Sequence, residues 1–194
     1  MHKQNIINLS LIELERLCLE LDLKSFKAKQ IWNWIYCFGK TSFQEMTNLD
    51  KNTRKLLDDC SFIYRPKINN VHISKDGTIK WLLEMNDKSL IETVFIPQGK
   101  RGTICISSQV GCTLNCTFCN TGTQKLVRNL TTYEILGQIF TVIDYLNDWP
   151  MSKTNRKVTN LVMMGMGEPL LNYENVKKAL KIVMSSNGLC ISKR

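Results

Sequence analysis

Histidine is almost absent from this chain of 194 residues, which holds only His2 and His72. A zinc site built from paired His and Cys ligands has little to draw on. Long apolar runs are missing as well. Leu161 to Met166 is among the most apolar stretches, far short of the roughly 20 residues that span a bilayer. Glu13, Glu15 and Glu20 stand where the apolar region of an export signal would lie. These absences predict a cytoplasmic protein with no membrane contact. There is no fixed-period repeat, no low-complexity segment and no Lys/Arg block.

What is present is a globular composition, 43% hydrophobic, with a net charge of +9 and a pI near 9.2. Basic residues spread over both halves suit a polyanionic partner such as nucleic acid, or an inert basic surface. Eight cysteines without an export signal read as reduced thiols. Cys18, Cys37, Cys60, Cys105 and Cys190 are scattered, as small buried hydrophobes are. Cys112, Cys116 and Cys119 are packed together.

Periodicity divides the chain. Residues 1–66 read as a small helical accessory domain. Ser10-Leu-Ile-Glu13 and Ser42-Phe-Gln-Glu45 carry the capping-box signature, and Asp50 can cap a third helix. A helix from Ser25 to Gly39 is expected to bury Ile31, Trp34, Ile35 and Phe38. Residues 67–100 alternate as an antiparallel meander, with a type I′ turn expected at Asp76-Gly77 and a third strand from Leu90 to Ile96. Residues 101–194 run strand, cysteine loop, helix, strand, helix. Thr131 caps a helix, and Val158 to Met164 reads as a strand buried on both faces. A helix from Asn172 should bury Val176, Leu180 and Val183. Leu189-Cys-Ile191 looks like the start of a third strand. The pattern is α/β, with too few units to close a barrel.

Cys112-Thr-Leu-Asn-Cys116-Thr-Phe-Cys119 is a C-x3-C-x2-C triplet. Structural zinc sites use four ligands, and ferredoxin runs have different spacing and a fourth cysteine. Three thiolates on one loop can hold three irons of a [4Fe–4S] cube and leave the fourth iron open, so iron–sulfur is favoured over zinc. Gly165-Met-Gly167-Glu168-Pro169 follows an apolar strand, where α/β folds bind ligands.

The C-x3-C-x2-C loop after the first barrel strand resembles the radical S-adenosylmethionine (SAM) superfamily. Thr103–Cys112, Arg128-Asn-Leu-Thr131 and Gly165–Asn172 narrow the resemblance to the adenine C2 methyltransferases of ribosomal and transfer RNA. Phe26–Trp34, Met46–Leu49 and Ile91-Glu-Thr-Val94 are similar to the same family's N-terminal region. The resemblance implies a partial radical-SAM (βα) barrel and an enzyme that methylates C2 of adenine in 23S rRNA and tRNA. It implies a [4Fe–4S] cluster on Cys112, Cys116 and Cys119, with SAM contacted at Gly167 and Glu168. Glu92 matches the family's proton acceptor. It shares strand parity with Leu90, Val94 and Ile96, and an apolar setting would raise its pKa. Cys105 matches a cysteine that helps resolve a covalent RNA adduct; by spacing alone it reads as a core thiol. Lys27, Lys29, Arg54 and Lys55 are the basic candidates for RNA phosphates, and Trp32 and Trp34 lie among them.

The family also uses a methyl-carrying cysteine near its C-terminus, and nothing here matches it. Cys190 sits elsewhere in the pattern. The resemblance therefore implies a truncated or split member, completed by a second chain or inactive alone, with an external electron donor for the cluster. The related adenine C8 methyltransferases and an inactive RNA-binding remnant are the alternatives.

Overall fold

The computed structural model describes residues 3–114, 116–117, 119–152 and 155–191, so Ser192-Lys-Arg194 lies outside the described residues. β1 (Gln4–Asn5) precedes α1 (Leu11–Glu20), α2 (Phe26–Tyr36), α3 (Lys51–Cys60) and β2 (Ser61–Phe62), which pairs in parallel with β1. The Ser10 capping box forms. Glu13 N–H donates to Ser10 Oγ at 3.3 Å and Ser10 N–H to the Glu13 carboxylate at 2.6 Å. Asp50 caps α3 through Thr53 N–H at 2.9 Å. Ser42 does not start an α-helix. It accepts from Gln44 N–H and opens a 3-10 turn over Phe43–Glu45. Phe43 and Met46, three residues apart, are both buried, and one 3-10 turn aligns that spacing.

In α2 the buried face is rotated from the expected one. Ile31 and Ile35 are buried, but with Trp32 and Tyr36 instead of Trp34 and Phe38. The indole N–H of Trp32 donates to Asn187 O at 2.9 Å and the Tyr36 hydroxyl to Ile7 O at 3.1 Å. Buried aromatics keep their polar tips paired, and these two positions reach a carbonyl. Trp34 is half-buried and donates to Asn48 Oδ1, while Phe38 lies beyond the helix and is exposed.

The meander follows as β3 (Lys67–Ile73), β4 (Ile79–Glu84), β5 (Leu90–Gln98) and β6 (Arg101–Cys105). The turn between β3 and β4 is not type I′. Gly77 has φ +83° but Asp76 is not in the positive-φ region, and Gly77 N–H donates to Ser74 O at 3.0 Å. That is a three-residue loop with glycine at its left-handed position. β7 (Gln109–Val110) and β8 (Arg128–Asn129) pair antiparallel at the base of the cysteine loop. α4 (Thr132–Tyr145), with the expected Thr131 capping box, leads to β9 (Asn160–Val162), and a 3-10 turn over Pro169–Asn172 leads to α5 (Tyr173–Val183).

The main sheet has the order β3-β4-β5-β6-β9, antiparallel except for the parallel β6–β9 pair. Trp81, Leu83, Ile91, Thr93, Phe95 and Ile104 fill its inner face, with the Trp81 ring edge-on to Tyr145 of α4 at 5.2 Å. The registers Leu82–Glu92, Val94–Cys105 and Cys105–Val162 place those residues on the opposite, open face. β9 is shorter and less buried than expected: residues 160–163 are half-buried and Met164 is 80% exposed. Among the described residues it has a strand on one edge only and helices on one face only, so neither side can be sealed. Residues 189–191 form no strand; they continue a turn in which Cys190 has φ +50°. On α5, Val176, Ala179, Ile182 and Val183 are buried while Leu180 is half-buried.

Buried side chains of α1 to α3 and of the sheet–helix layers form one continuous core. Arg65 binds them, with Nε 2.8 Å from Asp144 Oδ2 and its guanidinium 4.3 Å over the Phe140 ring. Among the described residues no helix is long and apolar enough to cross a membrane. A further tie joins α1 to α5, Lys178 Nζ to Glu13 Oε1 at 2.8 Å. Burial works against the Glu13 carboxylate, but bonds from Lys178 and Ser10 outweigh it and hold its pKa down to about 2 from 4.5. The folded value lies below the unfolded one, so this stabilisation is complete above the unfolded pKa and is lost as pH falls through the folded one. Thermal unfolding followed by circular dichroism should show Tm declining as pH drops from 4.5 toward 2. Glu13→Gln should remove part of that decline; an unchanged pH profile would show that the carboxylate is not held by these bonds.

Candidate active site

Because β6 and β9 are parallel neighbours, the segments following them leave the sheet at the same edge. From β6 come Ser107, Ser108, Gln109 and the cysteine loop; from β9 comes Gly165-Met-Gly-Glu168. Backbone bonds join the two. Gly165 N–H donates to Ile106 O at 3.0 Å, and Ser108 and Gln109 N–H donate to Met166 O at 2.8 and 3.2 Å. Ser107 Oγ accepts from Met166 N–H at 2.9 Å and donates to Glu92 O at 2.6 Å. Met166 is buried as the sequence implies for a core methionine, but Met164 is not.

Gly167 has φ +90°, and a Cβ there would lie 2.4 Å from the Gln109 Cβ. Only glycine lets the turn sit this close to β7. Gln109 is 1% exposed; its Oε1 accepts from Glu168 N–H at 2.9 Å and its Nε2 donates to Asn129 Oδ1 at 2.7 Å. Glu168 is half-buried, and its Oε1 accepts from Leu170 N–H at 2.9 Å. Asn172 does not cap α5 with its side chain. Its Nδ2 donates instead to Ser108 O and Leu130 O at 2.8 and 2.7 Å. One buried polar layer thus fixes the Gly-Glu turn against the root of the cysteine loop.

Sequence reasoning missed Ser107, Gln109 and Gln138, which carry this layer. The signal was there: three polar residues directly after an apolar strand, and one amide among Ile135, Leu136 and Ile139 of an apolar helix. Such groups are buried only when paired.

The cysteine loop is an excursion from the β7–β8 pair. Cys112 N–H donates to Gln124 O at 3.3 Å, Val127 N–H to Val110 O at 2.8 Å and Cys119 N–H to Cys116 O at 3.1 Å. Gly122 packs over it so closely that a Cβ would lie 3.0 Å from Cys116 O and 3.1 Å from Leu114 O. All three thiols are free, Cys112 and Cys119 half-buried and Cys116 exposed. Leu114 N–H donates to Cys112 Sγ at 3.4 Å. Among the described residues no three His, Cys, Asp or Glu side chains are gathered as a metal cage. The donor set itself, three free thiols on one tightly folded loop, fits an iron–sulfur cube with an open iron better than a closed four-ligand zinc site. Arg128 braces the loop's exit. Its guanidinium meets Glu134 at 2.8 and 2.9 Å and Asp87 at 2.7 Å, and that contact holds the Asp87 carboxyl well below the usual carboxylate range.

Glu92 and Cys105 share the open face of the sheet, below the edge where the two loops meet. The apolar setting expected for Glu92 is absent. Its side chain is 45% exposed and 2.9 Å from Lys80 Nζ, and its parity partners Leu90 and Ile96 are exposed at 40% and 43%. This face is open because α4 packs on the other one. Burial pushes the Cys105 thiol up, with a backbone hydrogen bond from Met164 opposing it. Of the basic candidates, Lys27 is spent inside the fold, 2.6 Å from both Asp50 and Thr53, and Arg54 donates to Gln44 O at 2.7 Å. Lys29 and Lys55 are exposed.

The family described as the ribosomal RNA large subunit methyltransferase N-terminal domain matches residues 4–63. Along nearly the whole chain, the similarity is to dual-specificity RNA methyltransferases RlmN. That of Rhizorhabdus wittichii is 52% identical over 181 residues, 93% of this chain and 45% of the relative. That of Rhodospirillum rubrum is 46% identical over 191 residues, 98% of this chain and 45% of the relative. The chain is similar to part of these methyltransferases. It spans about half the length of these curated relatives. The fold agrees: the crystal structure of a radical SAM methyltransferase from Sphaerobacter thermophilus superposes with a TM-score of 0.87 at 33% identity, over 97% of this chain and 54% of that one. The expected partial radical-SAM fold is therefore present in this RlmN-like chain.

Proposed function

We propose that this RlmN-like chain forms the cluster- and SAM-binding part of an RNA methyltransferase acting on adenine C2 of ribosomal and transfer RNA. The observation that carries the reading is the joining, through Gln109 and Met166, of a three-cysteine loop to a Gly-Glu turn at the ends of adjacent parallel strands. Cys112, Cys116 and Cys119 would hold a [4Fe–4S] cluster, and Gly167 and Glu168 would contact SAM. When bound, the cluster and SAM supply one-electron cleavage of SAM to a carbon radical. Gly167 keeps side chains clear of the ligand, and the Gln109 bond fixes the Glu168 backbone. Glu92 stands on the open face as proton acceptor with Lys80 beside it, and Cys105 as the auxiliary thiol. An external electron donor is needed to reduce the cluster.

The test is anaerobic incubation of the reconstituted chain with SAM and dithionite, reading 5′-deoxyadenosine by chromatography. Its formation by the native chain and its absence in Cys116→Ala are the expected outcome. No 5′-deoxyadenosine from an iron-loaded chain would sink the reading.

RNA contact by residues 1–66 falls to Lys29 and Lys55, since Lys27 is engaged internally. Neutralising both should flatten the slope of log affinity against log salt by about 2, whereas Lys27→Met should chiefly lower stability. Filter binding of tRNA across salt concentrations checks this, and an unchanged slope in the Lys29/Lys55 variant refutes the assignment.

A further inference from the structure

Far from the cysteine loop, a cavity of about 380 Å³ opens where the end of α2, Met151, Ser152, Arg156 and the turn after α5 meet. Cys37 and Cys190 both line it. Their thiols converge on adjacent carbonyls of one turn: Cys37 Sγ lies 3.7 Å from Asn187 O, and Cys190 Sγ lies 2.9 Å from Ser186 O. Both thiols are free and half-buried, unlike the fully buried Cys18. Lys29 and Arg156 line the same cavity, while burial pushes the Cys37 thiol up and the neighbouring Cys190 adds to that shift.

Cys190 is held in an unusual way. Its φ of +50° is a left-handed conformation that side chains with a Cβ rarely adopt. Arg156 pins it there, donating to Leu189 O at 3.0 Å and Cys190 O at 3.1 Å. The turn is held on both sides of Cys190, by the Trp32 indole N–H donating to Asn187 O at 2.9 Å and by Ile191 N–H donating to Val183 O at 3.3 Å. A disulfide requires its Cα atoms to come within about 7 Å, so forming it draws the turn carrying Cys190 and the end of α2 together. On the other side, Cys37 is anchored at the helix end, its carbonyl accepting from Met151 N–H at 2.9 Å.

We propose that Cys37 and Cys190 form an oxidisable dithiol, a modification site that a low-molecular-weight disulfide such as oxidised glutathione converts to an intramolecular disulfide. One thiolate attacks the glutathione disulfide, breaking its S–S bond and releasing one glutathione. The second protein thiolate then attacks the mixed disulfide and expels the other glutathione. The protein loses two electrons and two protons, and the oxidant is reduced to two thiols. The product staples the end of α2 to the turn after α5 across the cavity.

The test is anaerobic equilibration of the cluster-loaded chain in glutathione buffers of increasing oxidised fraction, followed by acid quench, thiol alkylation and peptide mass analysis. The expected result is one cross-linked peptide pair joining Cys37 to Cys190, two hydrogens lighter than the reduced pair. Cys18 and Cys60 should stay alkylatable, and the visible cluster absorbance should persist. Cys37→Ser and Cys190→Ser should each abolish the pair and leave a glutathione adduct on the remaining thiol. Separate glutathione adducts on both residues of the unaltered chain would overturn the proposal, as would both thiols remaining free or either one pairing with a different cysteine. Neither result depends on SAM cleavage, so the outcome is separable from that of the proposed activity.

Discussion

Reconstitution of the native chain with iron and sulfide under argon should load about four iron per chain, and Ala at Cys112, Cys116 or Cys119 should each reduce this to near zero. Three thiolates are the minimum that leaves one iron open, so removing one drops the site below stable ligation. The loop offers no substitute. Cys105 lies on the open face of the sheet behind Ile106 and the polar layer, and its thiol is raised by burial, the wrong direction for a ready thiolate ligand. Cys105→Ala should therefore keep its iron. Iron analysis and electron paramagnetic resonance of the reduced protein measure this directly. Retention of iron in Cys116→Ala together with its loss in Cys105→Ala would reverse the ligand assignment.

Substitution of Gln138 by Leu should cost roughly 3–9 kcal/mol, a large share of a typical domain's stability. Gln138 Oε1 accepts from Ser107 N–H at 2.8 Å and the Thr93 hydroxyl at 2.9 Å, and its Nε2 donates to Ser107 O at 2.9 Å. All of these groups are buried. Leu matches the volume but leaves them unpaired away from water, at about 1–3 kcal/mol each. The consequence reaches the site, because Ser107 also bonds Met166 and Glu92 and so sets the Gly-Glu turn against β6. Urea unfolding should show a lower midpoint with an unchanged slope. A loss below about 1 kcal/mol would mean that water replaces the amide.

The cysteine triplet, the Gly-Met-Gly-Glu turn and the caps at Ser10, Asp50 and Thr131 were legible in the sequence because each acts within a few residues of itself. So was the alternation of β4, whose Trp81 and Leu83 bury as the parity implies. The Ser42 signature misled, since the burial of Phe43 and Met46 decided that segment. Glu92 misled for a related reason. Strand parity shows which residues share a face, and the packing of α4 decides which face is covered.

By itself, then, the sequence determined the capped helices, the meander, the three-cysteine spacing and the resemblance to RNA methyltransferases. Local hydrogen bonding, strand period and ligand spacing are short-range properties, written wherever the residues stand. Only the tertiary structure decided that Gln109 and Gln138 hold the site together and that Trp32 and Tyr36, not Trp34 and Phe38, are buried. It likewise committed Lys27 to Asp50 and brought Cys37 and Cys190 to one cavity. Each of these depends on a partner distant in the chain, and a buried polar group, an ion pair or a thiol takes its character from what folding sets beside it.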